Sequence, residues 1–153
     1  MGLFKHIVLV SAMGLGCFAQ AAEDKPAEKP RVKVEFRRAE NKPAEGLTEA
    51  TVGNTEDKIY LHKTADATNE DIADARVDTL NDPVTVIVVF TKEGAKKMAK
   101  LSEEHKGKPV AILVDGKVIK APIVRAAFRD QAAITGVSSK EEAERIVKGI
   151  KAK

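Results

Sequence analysis

The stretch VAILVDGKVIKAPIV, residues 110–124, decides much of the fold because it predicts a β-hairpin. Two apolar runs rich in β-branched residues flank the pair Asp115 and Gly116, as expected for two strands joined by a two-residue loop. An Asp-Gly pair favours a type I′ turn, whose positive φ angles suit glycine, asparagine and aspartate. Pro109 and Pro122 stand near the ends of the stretch, where a strand tolerates a missing amide donor.

Outside the hairpin, several segments carry strand patterns. Alternation of apolar and charged residues predicts strands over 32–40 and 58–63, each with one face in water. The segment between them, 41–57, is rich in turn-forming residues and is predicted to be a loop. A continuous β-branched run at 84–90 predicts a central strand buried on both faces. A further short strand is predicted at 132–136.

Three helices are predicted from capping residues and from apolar side chains at helical spacing. They are a helix capped by Thr68 or Asn69 that runs to about Arg76, a helix capped by Thr91 that ends at Gly107, and a helix opened by a capping box of Ser139 and Glu142. Strand clusters separated by helices, together with an antiparallel hairpin, predict the α+β class. We expect a mostly antiparallel sheet with helices packed on one face.

The amino terminus carries the pattern of a secretory signal peptide. A short positively charged start, Met1–Lys5, precedes an apolar run at 7–18. Ala19–Ala21 then supplies the small residues that signal peptidase recognises, so residues 1–21 are predicted to be a signal peptide cut between Ala21 and Ala22. A membrane span is the competing interpretation, but a span needs roughly 20 apolar residues and this run is shorter.

Cys17 offers a second route to the cell envelope. A lipoprotein signal would place a lipidated cysteine at the new amino terminus, but Gly14 stands where such signals usually carry a branched apolar residue. We therefore predict a periplasmic or secreted protein of the bacterial envelope, with lipid anchoring through Cys17 as the minor alternative.

The chain after the predicted cut is nearly balanced in charge and contains no cysteine. Removal of residues 1–21 leaves 132 residues and lowers the formal net charge from +3 to +2, because Lys5 is removed. A nucleic-acid-binding protein normally clusters its basic residues, which this chain does not, so nucleic acid is discounted. We predict a flexible leader at 22–33 and one folded domain at 34–151, with no membrane span in the mature chain.

The sequence shows no recognisable catalytic or metal-binding motif. His62 and His105 do not stand at metal-ligand spacing with other candidate ligands, and His105 near a helix carboxyl terminus interacts favourably with the helix dipole. No nucleophile elbow or phosphate-binding glycine loop is present. We therefore predict no enzyme activity, no metal and no cofactor. The alternative is a small envelope enzyme built from carboxylates that are scattered in the sequence.

Several segments, in order, resemble one known family. The most specific are Phe90-Thr91 with Glu93-Gly94-Ala95, Ala111-Ile112 with Asp115-Gly116-Lys117-Val118, and Ala121-Pro122. Together with neighbouring segments from about Val34 to Val147, they resemble the head portion of the first periplasmic domain of SecD, a subunit of the bacterial protein-export machinery. The resemblance implies a free-standing, non-catalytic binding or chaperone-like module. Its expected partner is a protein or polypeptide, and its oligomeric state is left open.

The chain departs from the family at two places. The segment that precedes the head in SecD is lacking before Val34, and the many membrane spans of SecD are lacking too. In addition, AAFRDQA at 126–132 stands where the family usually has paired glycines shortly after the hairpin. The bulkier Phe128 and Arg129 therefore become candidate residues for partner contact.

The resemblance also suggests a role for the hairpin. In the family the head is thought to contact emerging polypeptides, and an exposed hairpin edge can bind an extended chain by adding a strand. Asp115, Gly116 and Lys117 are accordingly candidate contact residues. The favoured alternative is that the hairpin only closes the sheet, with Ile112, Val114 and Val118 packed against a helix. A purely structural docking partner for a membrane complex is the third hypothesis.

Overall fold

The computed structural model describes residues 31–80 and 83–152. The predicted signal peptide, its cleavage site at Ala21 and Ala22, Cys17 and most of the predicted leader lie outside the described residues. The strands are β1 (Val34–Glu40), β2 (Thr48–Thr51), β3 (Lys58–Leu61), β4 (Ala67–Thr68), β5 (Ile72–Asp78), β6 (Thr85–Phe90), β7 (Val110–Val114), β8 (Lys117–Lys120) and β9 (Gln131–Ile134), and the helices are α1 (Lys92–Glu104) and α2 (Lys140–Lys151).

The strands form two sheets, and all pairs of named strands are antiparallel. The larger sheet has the order β2-β3-β1-β7-β8, with β4 also paired to β1. The smaller sheet has the order β5-β6-β9. Helix α2 packs on β5 and β6, while α1 contacts β4 and β6. The predicted α+β class is confirmed, and the strands are divided between two sheets.

Strand β7 lies between two hydrophobic cores and contributes side chains to both. Its side chains alternate: Val110, Ile112 and Val114 belong to the core shared with the helices and the smaller sheet, whereas Ala111 and Leu113 belong to a second core within the larger sheet. All five residues are buried. The hairpin therefore contributes to both cores, which explains why neither of its faces is polar along β7.

The hairpin itself forms as predicted. Asp115 has a φ of 50° and Gly116 a φ of 81°, the pair of positive values that defines a type I′ turn. Val118 on the return strand faces the second core, while Ile112 and Val114 face the first. The expectation that all three pack against a helix is therefore correct only for the side of the hairpin that faces the first core.

The helix predicted from Asn69 to about Arg76 is wrong. A single 3-10 turn at Asn69–Asp71 is followed directly by β5, which pairs with β6 along its length. The acidic residues that suggested a helix start still act locally, because Asp71 accepts a hydrogen bond from the amide of Thr68 at 3.0 Å. Pairing with β6 and burial of Ile72 and Ala75 outweigh that local helix signal.

Three further expectations need correction. Strand β6 is central in its sheet, but Ile87 and Val89 are only half-buried, so one face rather than two lies in the core. The predicted loop at 41–57 contains β2, which pairs with β3. The predicted leader ends too late, since Val32 is 2% exposed and packs in the first core.

Both long helices begin where their caps predict. The hydroxyl of Thr91 accepts a hydrogen bond from the amide of Gly94 at 3.0 Å, and α1 follows. The hydroxyl of Ser139 accepts one from the amide of Glu142 at 3.2 Å, and α2 follows. These bonds satisfy amide groups that have no partner inside the first turn of a helix.

Candidate functional site

The hairpin tip is fastened to two distant parts of the domain. The Asp115 carboxylate accepts a hydrogen bond from the amide of Lys33 at 2.9 Å and forms an ion pair with the Arg145 guanidinium, also at 2.9 Å. The amide of Asp115 donates to the carbonyl of Lys33 at 2.8 Å. The tip is thereby held against the start of β1 and against α2. The sequence predicted a turn role and a candidate partner contact for Asp115, but not these contacts with Lys33 and Arg145.

Partners at the tip stabilise the charged form of Asp115. Burial would raise the pKa of the carboxyl group, but the amide of Lys33 and the guanidinium of Arg145 hold it below its usual value. Asp115 is thus an anionic structural contact. Lys117, the third residue predicted for partner contact on the hairpin, has an exposed side chain.

The outer edge of β8 is covered over its middle. Val52 forms a parallel bridge with Val118, and the amide of Gly53 donates to the Val118 carbonyl at 2.7 Å. A Cβ built on Gly53 or on Gly136 would lie 3.3 Å from the Ile119 carbonyl oxygen, so both glycines approach this edge closely. An extended chain could not pair there without displacing these segments, which supports the sheet-closing role of the hairpin.

The loop after the hairpin is anchored from inside the domain. Phe128 is partly buried against the first core, and its amide donates to the hydroxyl of Ser102 at 3.0 Å. Ser102 is itself 1% exposed and donates to the carbonyl of Ala99. Phe128 therefore has a packing role, whereas the neighbouring Arg129 is exposed. The tip is thus held by Lys33 and Arg145, whereas this loop is held by Ser102.

The buried carboxylates among the described residues, Glu35 and Asp71, have structural partners. Glu35, 4% exposed, lies within 3.1 Å of the Lys33 ammonium and 3.0 Å of the Arg37 guanidinium. Asp71, 6% exposed, pairs with the Lys97 ammonium at 2.7 Å. These carboxylates thus serve as ion-pair partners at the packing surfaces of β1 and α1.

The two histidines among the described residues, His62 and His105, differ in environment. His105 is buried at the end of α1, and its Nε2 lies 2.8 Å from the Ala39 carbonyl oxygen, so this nitrogen donates. The His62 side chain is partly exposed, and its ring centre lies 6.0 Å from that of His105. Within residues 31–80 and 83–152, no group of three or more histidine, cysteine, aspartate or glutamate side chains is arranged to hold a metal ion.

A groove lies where the described chain begins and ends. It has a volume of about 670 Å³, and Val32, Asn69, Gly149 and Ile150 are among its lining residues. The Asn69 side chain accepts from the amide of Val34 at 2.6 Å and donates to the carbonyl of Val32 at 2.8 Å. These bonds hold the residues that lead into β1 against the turn at Asn69–Asp71, and Gly149 of α2 lies close to Val32.

Comparison with known families assigns this architecture. The family model described as the SecDF P1 head subdomain matches residues 45–152, which include both long helices and all strands from β2 to β9. The chain belongs to this family. No helix among the described residues is long and apolar enough to cross a membrane.

Relatives of this SecDF head-family chain are subunits of the protein translocase. The protein translocase subunit SecDF of Thermus thermophilus is 45% identical over 82 residues, which are 52% of this chain and 11% of that protein. The subunit SecD of Rhodothermus marinus is 38% identical over 96 residues, which are 61% of this chain and 15% of that protein. The chain thus spans only a small fraction of the relatives it matches.

Solved structures show the same fold. A structure of SecDF, described as a membrane component that enhances protein export, aligns with a TM-score of 0.63 and 29% identity over 94% of this chain and 72% of that one. A crystal structure of SecDF in a super-membrane-facing form aligns with a TM-score of 0.63 and 31% identity over 80% of this chain and 19% of that one.

The partners that hold the hairpin tip and the start of β1 were not predictable from the sequence. Lys33 falls at the end of the predicted leader, Glu35 falls among the charged residues of a predicted alternating strand, and Arg145 lies in the predicted last helix with no role of its own. The Val32-Lys33-Val34-Glu35 alternation does place Glu35 opposite the first core. It carries no signal that Arg37 and Lys33 enclose the carboxylate on that side.

Proposed function

We propose that the protein is an exported, non-catalytic head module that contacts non-native polypeptides during protein export across the bacterial envelope. The observation that carries this proposal is the match of the SecDF head subdomain to nearly the whole folded domain. The relatives that contain this subdomain are protein translocase subunits. The polypeptide partner is inferred from the similarity of this chain to those subunits.

The structure offers support for a binding role over a catalytic one. The buried carboxylates Glu35 and Asp71 are committed to ion pairs that hold β1 and α1 in place. A general acid or base needs a free titratable group in reach of a substrate. In this domain, these carboxylates stabilise packing, so function is expected to depend on the surface of the head.

A docking role on a membrane complex is the second candidate. Among the described residues, Leu80 and Ile123 are the large hydrophobic side chains that stand out as exposed, at 95% and 50%. They are single exposed residues of a kind that soluble monomers commonly show. Polypeptide contact is therefore preferred.

The proposed location is the periplasm or the outer envelope surface, reached through the signal peptide. The expected result is that envelope fractions contain a chain whose intact mass corresponds to a start at Ala22. Retention of Met1 would contradict export by cleavage. A lipid mass on a chain that starts at Cys17 would instead show an anchored protein.

Binding can be measured with an unfolded protein of defined chemistry. We expect the purified protein to bind reduced, carboxymethylated α-lactalbumin, which cannot refold. It should not bind the native, disulfide-bonded form. Fluorescence anisotropy with both forms of the probe tests this difference. If neither form binds at concentrations up to the millimolar range, polypeptide contact is wrong for this domain.

A further inference from the structure

Strand β9 has an open edge whose free backbone groups can be identified. The Phe90 amide donates to the Asp130 carbonyl at 2.8 Å, and these residues extend the β6–β9 register by one step. Hydrogen-bonded and non-hydrogen-bonded pairs alternate along an antiparallel ladder. The ladder bonds of β9 therefore come from Ala132 and Ile134, and the backbone groups of Gln131 and Ala133 point away from β6.

The side chains of β9 alternate between the solvent and the first core. Gln131 and Ala133 are exposed, whereas Ala132 and Ile134 face the first core. Within the described parts of the chain, β9 pairs with β6 and with no other strand. Neither outward residue carries a charge, and Ala133 has a small side chain that a neighbouring strand could approach.

The opposite edge of the smaller sheet, formed by β5, is less suited to pairing with another strand. Strand β5 carries a bulge between Ile72 and Asp74, and bulges disturb the regular spacing that another strand would need. Lys151 forms an ion pair with Asp74 at 3.0 Å beside this edge. Lys151 first, and then the amide of Ala75, lower the pKa of Asp74, which favours a charged carboxylate beside this edge.

The edges of the larger sheet are also less suited to strand addition. On β8, the Val118 carbonyl is bonded by the amide of Gly53. On β2, Glu49 brings an exposed charged side chain that pairs with Lys58, and Val52, just after this strand, is bridged to β8. Covered edges and charged edge residues are the means by which proteins avoid pairing with other chains. Strand β9 lacks both.

We propose that an extended polypeptide segment adds to the outer edge of β9 and exchanges backbone hydrogen bonds with Gln131 and Ala133. This inference rests on the proposed polypeptide contact and names its position. Backbone recognition is tolerant of sequence, which suits a module that meets many different chains. The edge spans four residues, so each contact is weak and reversible.

Amide hydrogen exchange on the unmodified protein tests the position directly. The outward amides of Gln131 and Ala133 should exchange rapidly in the free protein and become protected when reduced, carboxymethylated α-lactalbumin is added. Protection centred on Val118 or Glu49 would overturn the assignment to β9 while leaving polypeptide contact intact. Absence of any binding would overturn both proposals. Protection that grows with protein concentration, without the probe, would show self-pairing of β9 and overturn this one.

A matched pair of variants separates the backbone from the side chain. Ala133→Pro removes an outward amide that makes no ladder bond, and proline is tolerated at such edge positions. It should weaken binding of the unfolded probe about tenfold or more. Ala133→Thr keeps the amide and should bind within about twofold of the wild type, since strand addition uses the backbone. Equal binding by both variants would refute the edge contact, and circular dichroism confirms that each is folded.

Discussion

Asp115 and Lys33 exchange two backbone-directed hydrogen bonds across 82 positions of sequence. The Lys33 amide donates to the Asp115 carboxylate at 2.9 Å, and the Asp115 amide donates to the Lys33 carbonyl at 2.8 Å. Arg145 completes the contact from α2. One turn residue therefore fastens the hairpin, the first strand and the last helix at a single point.

This geometry predicts different costs for two substitutions at Asp115. Asp115→Asn suits the turn and can still accept from Lys33, but it loses the partly exposed ion pair with Arg145, at a cost of roughly 0.5–1 kcal/mol. Asp115→Ala also leaves the Lys33 amide without its acceptor and strains a residue with positive φ, so about 1–3 kcal/mol is expected. Urea unfolding at pH 7 measures both. Equal losses for the two variants would show that the Lys33 bond is unimportant.

Gly149 in α2 is predicted to resist a substitution that helix propensity favours. Alanine is better than glycine in a helix by about 1 kcal/mol. A Cβ on Gly149, however, would lie 2.5 Å from the Val32 Cβ and 2.6 Å from the Val32 amide nitrogen. Gly149→Ala should therefore destabilise the domain by roughly 1–3 kcal/mol, because β1 and α2 must separate.

Lys148→Ala provides the control for this prediction, since Lys148 is the exposed neighbour of Gly149 in the same helix. It should change the free energy of unfolding by less than about 0.5 kcal/mol. Thermal unfolding of both variants is the measurement. A Gly149→Ala protein that melts above the wild type would disprove the close contact with Val32.

His105 is expected to matter for folding and His62 to matter little. His105→Ala removes a side chain that is 5% exposed and leaves the Ala39 carbonyl without its donor, so a loss of about 2 kcal/mol is expected. His62→Ala changes a partly exposed residue and should cost under about 1 kcal/mol. Chemical denaturation of the two single variants compares them. Similar losses would mean that the buried contact of His105 contributes no stability.

Glu35 should make the domain sensitive to acid. Burial would raise its pKa, but hydrogen bonds from Lys33 and Arg37 hold the pKa below the ordinary value of 4.5. A carboxyl group whose pKa is lower in the folded state than in the unfolded state stabilises the fold at pH values above its unfolded-state pKa. This contribution is lost as the pH falls through the folded-state pKa. Stability should thus fall on acidification below about pH 4.5.

The test compares urea midpoints at pH 7 and pH 3. Glu35→Gln should be less stable than the wild type at pH 7 and should lose less on acidification, because its amide does not titrate. Glu45→Gln, at an exposed position in the loop before β2, is the control and should follow the wild type. An acid response in Glu35→Gln as large as in the wild type would assign the effect to other groups.

Features encoded by neighbouring residues were predictable from the sequence. The turn at Asp115 and Gly116 depends on their own φ preferences, and the starts of α1 and α2 depend on hydroxyl groups three residues before the amides they accept from. These interactions are complete within one turn, so the pattern of a few residues is sufficient. The resemblance of the chain to the SecD head rests on such segments, and the family match confirms it.

Features that depend on distant partners were not predictable in this way. The segment that begins at Ile72 carries caps and acids typical of a helix start, yet it becomes β5 because pairing with β6 buries Ile72 and Ala75. Propensity differences of a few tenths of a kcal/mol per residue are smaller than the gain from that burial. The same reason applies to β2, a short exposed strand that depends on its bonds to β3.

The sequence alone therefore determined the hairpin, the two long helices and the family. Each depends on the conformational preferences of neighbouring residues or on contiguous segments of sequence. Tertiary structure alone decided which edges are open. The Val118 carbonyl of β8 is covered by Gly53, which lies 65 positions earlier, whereas the outward groups of Gln131 and Ala133 on β9 face no described strand. Every residue except proline carries the same backbone donor and acceptor, so only the position of the surrounding chain determines which of them can bind a partner.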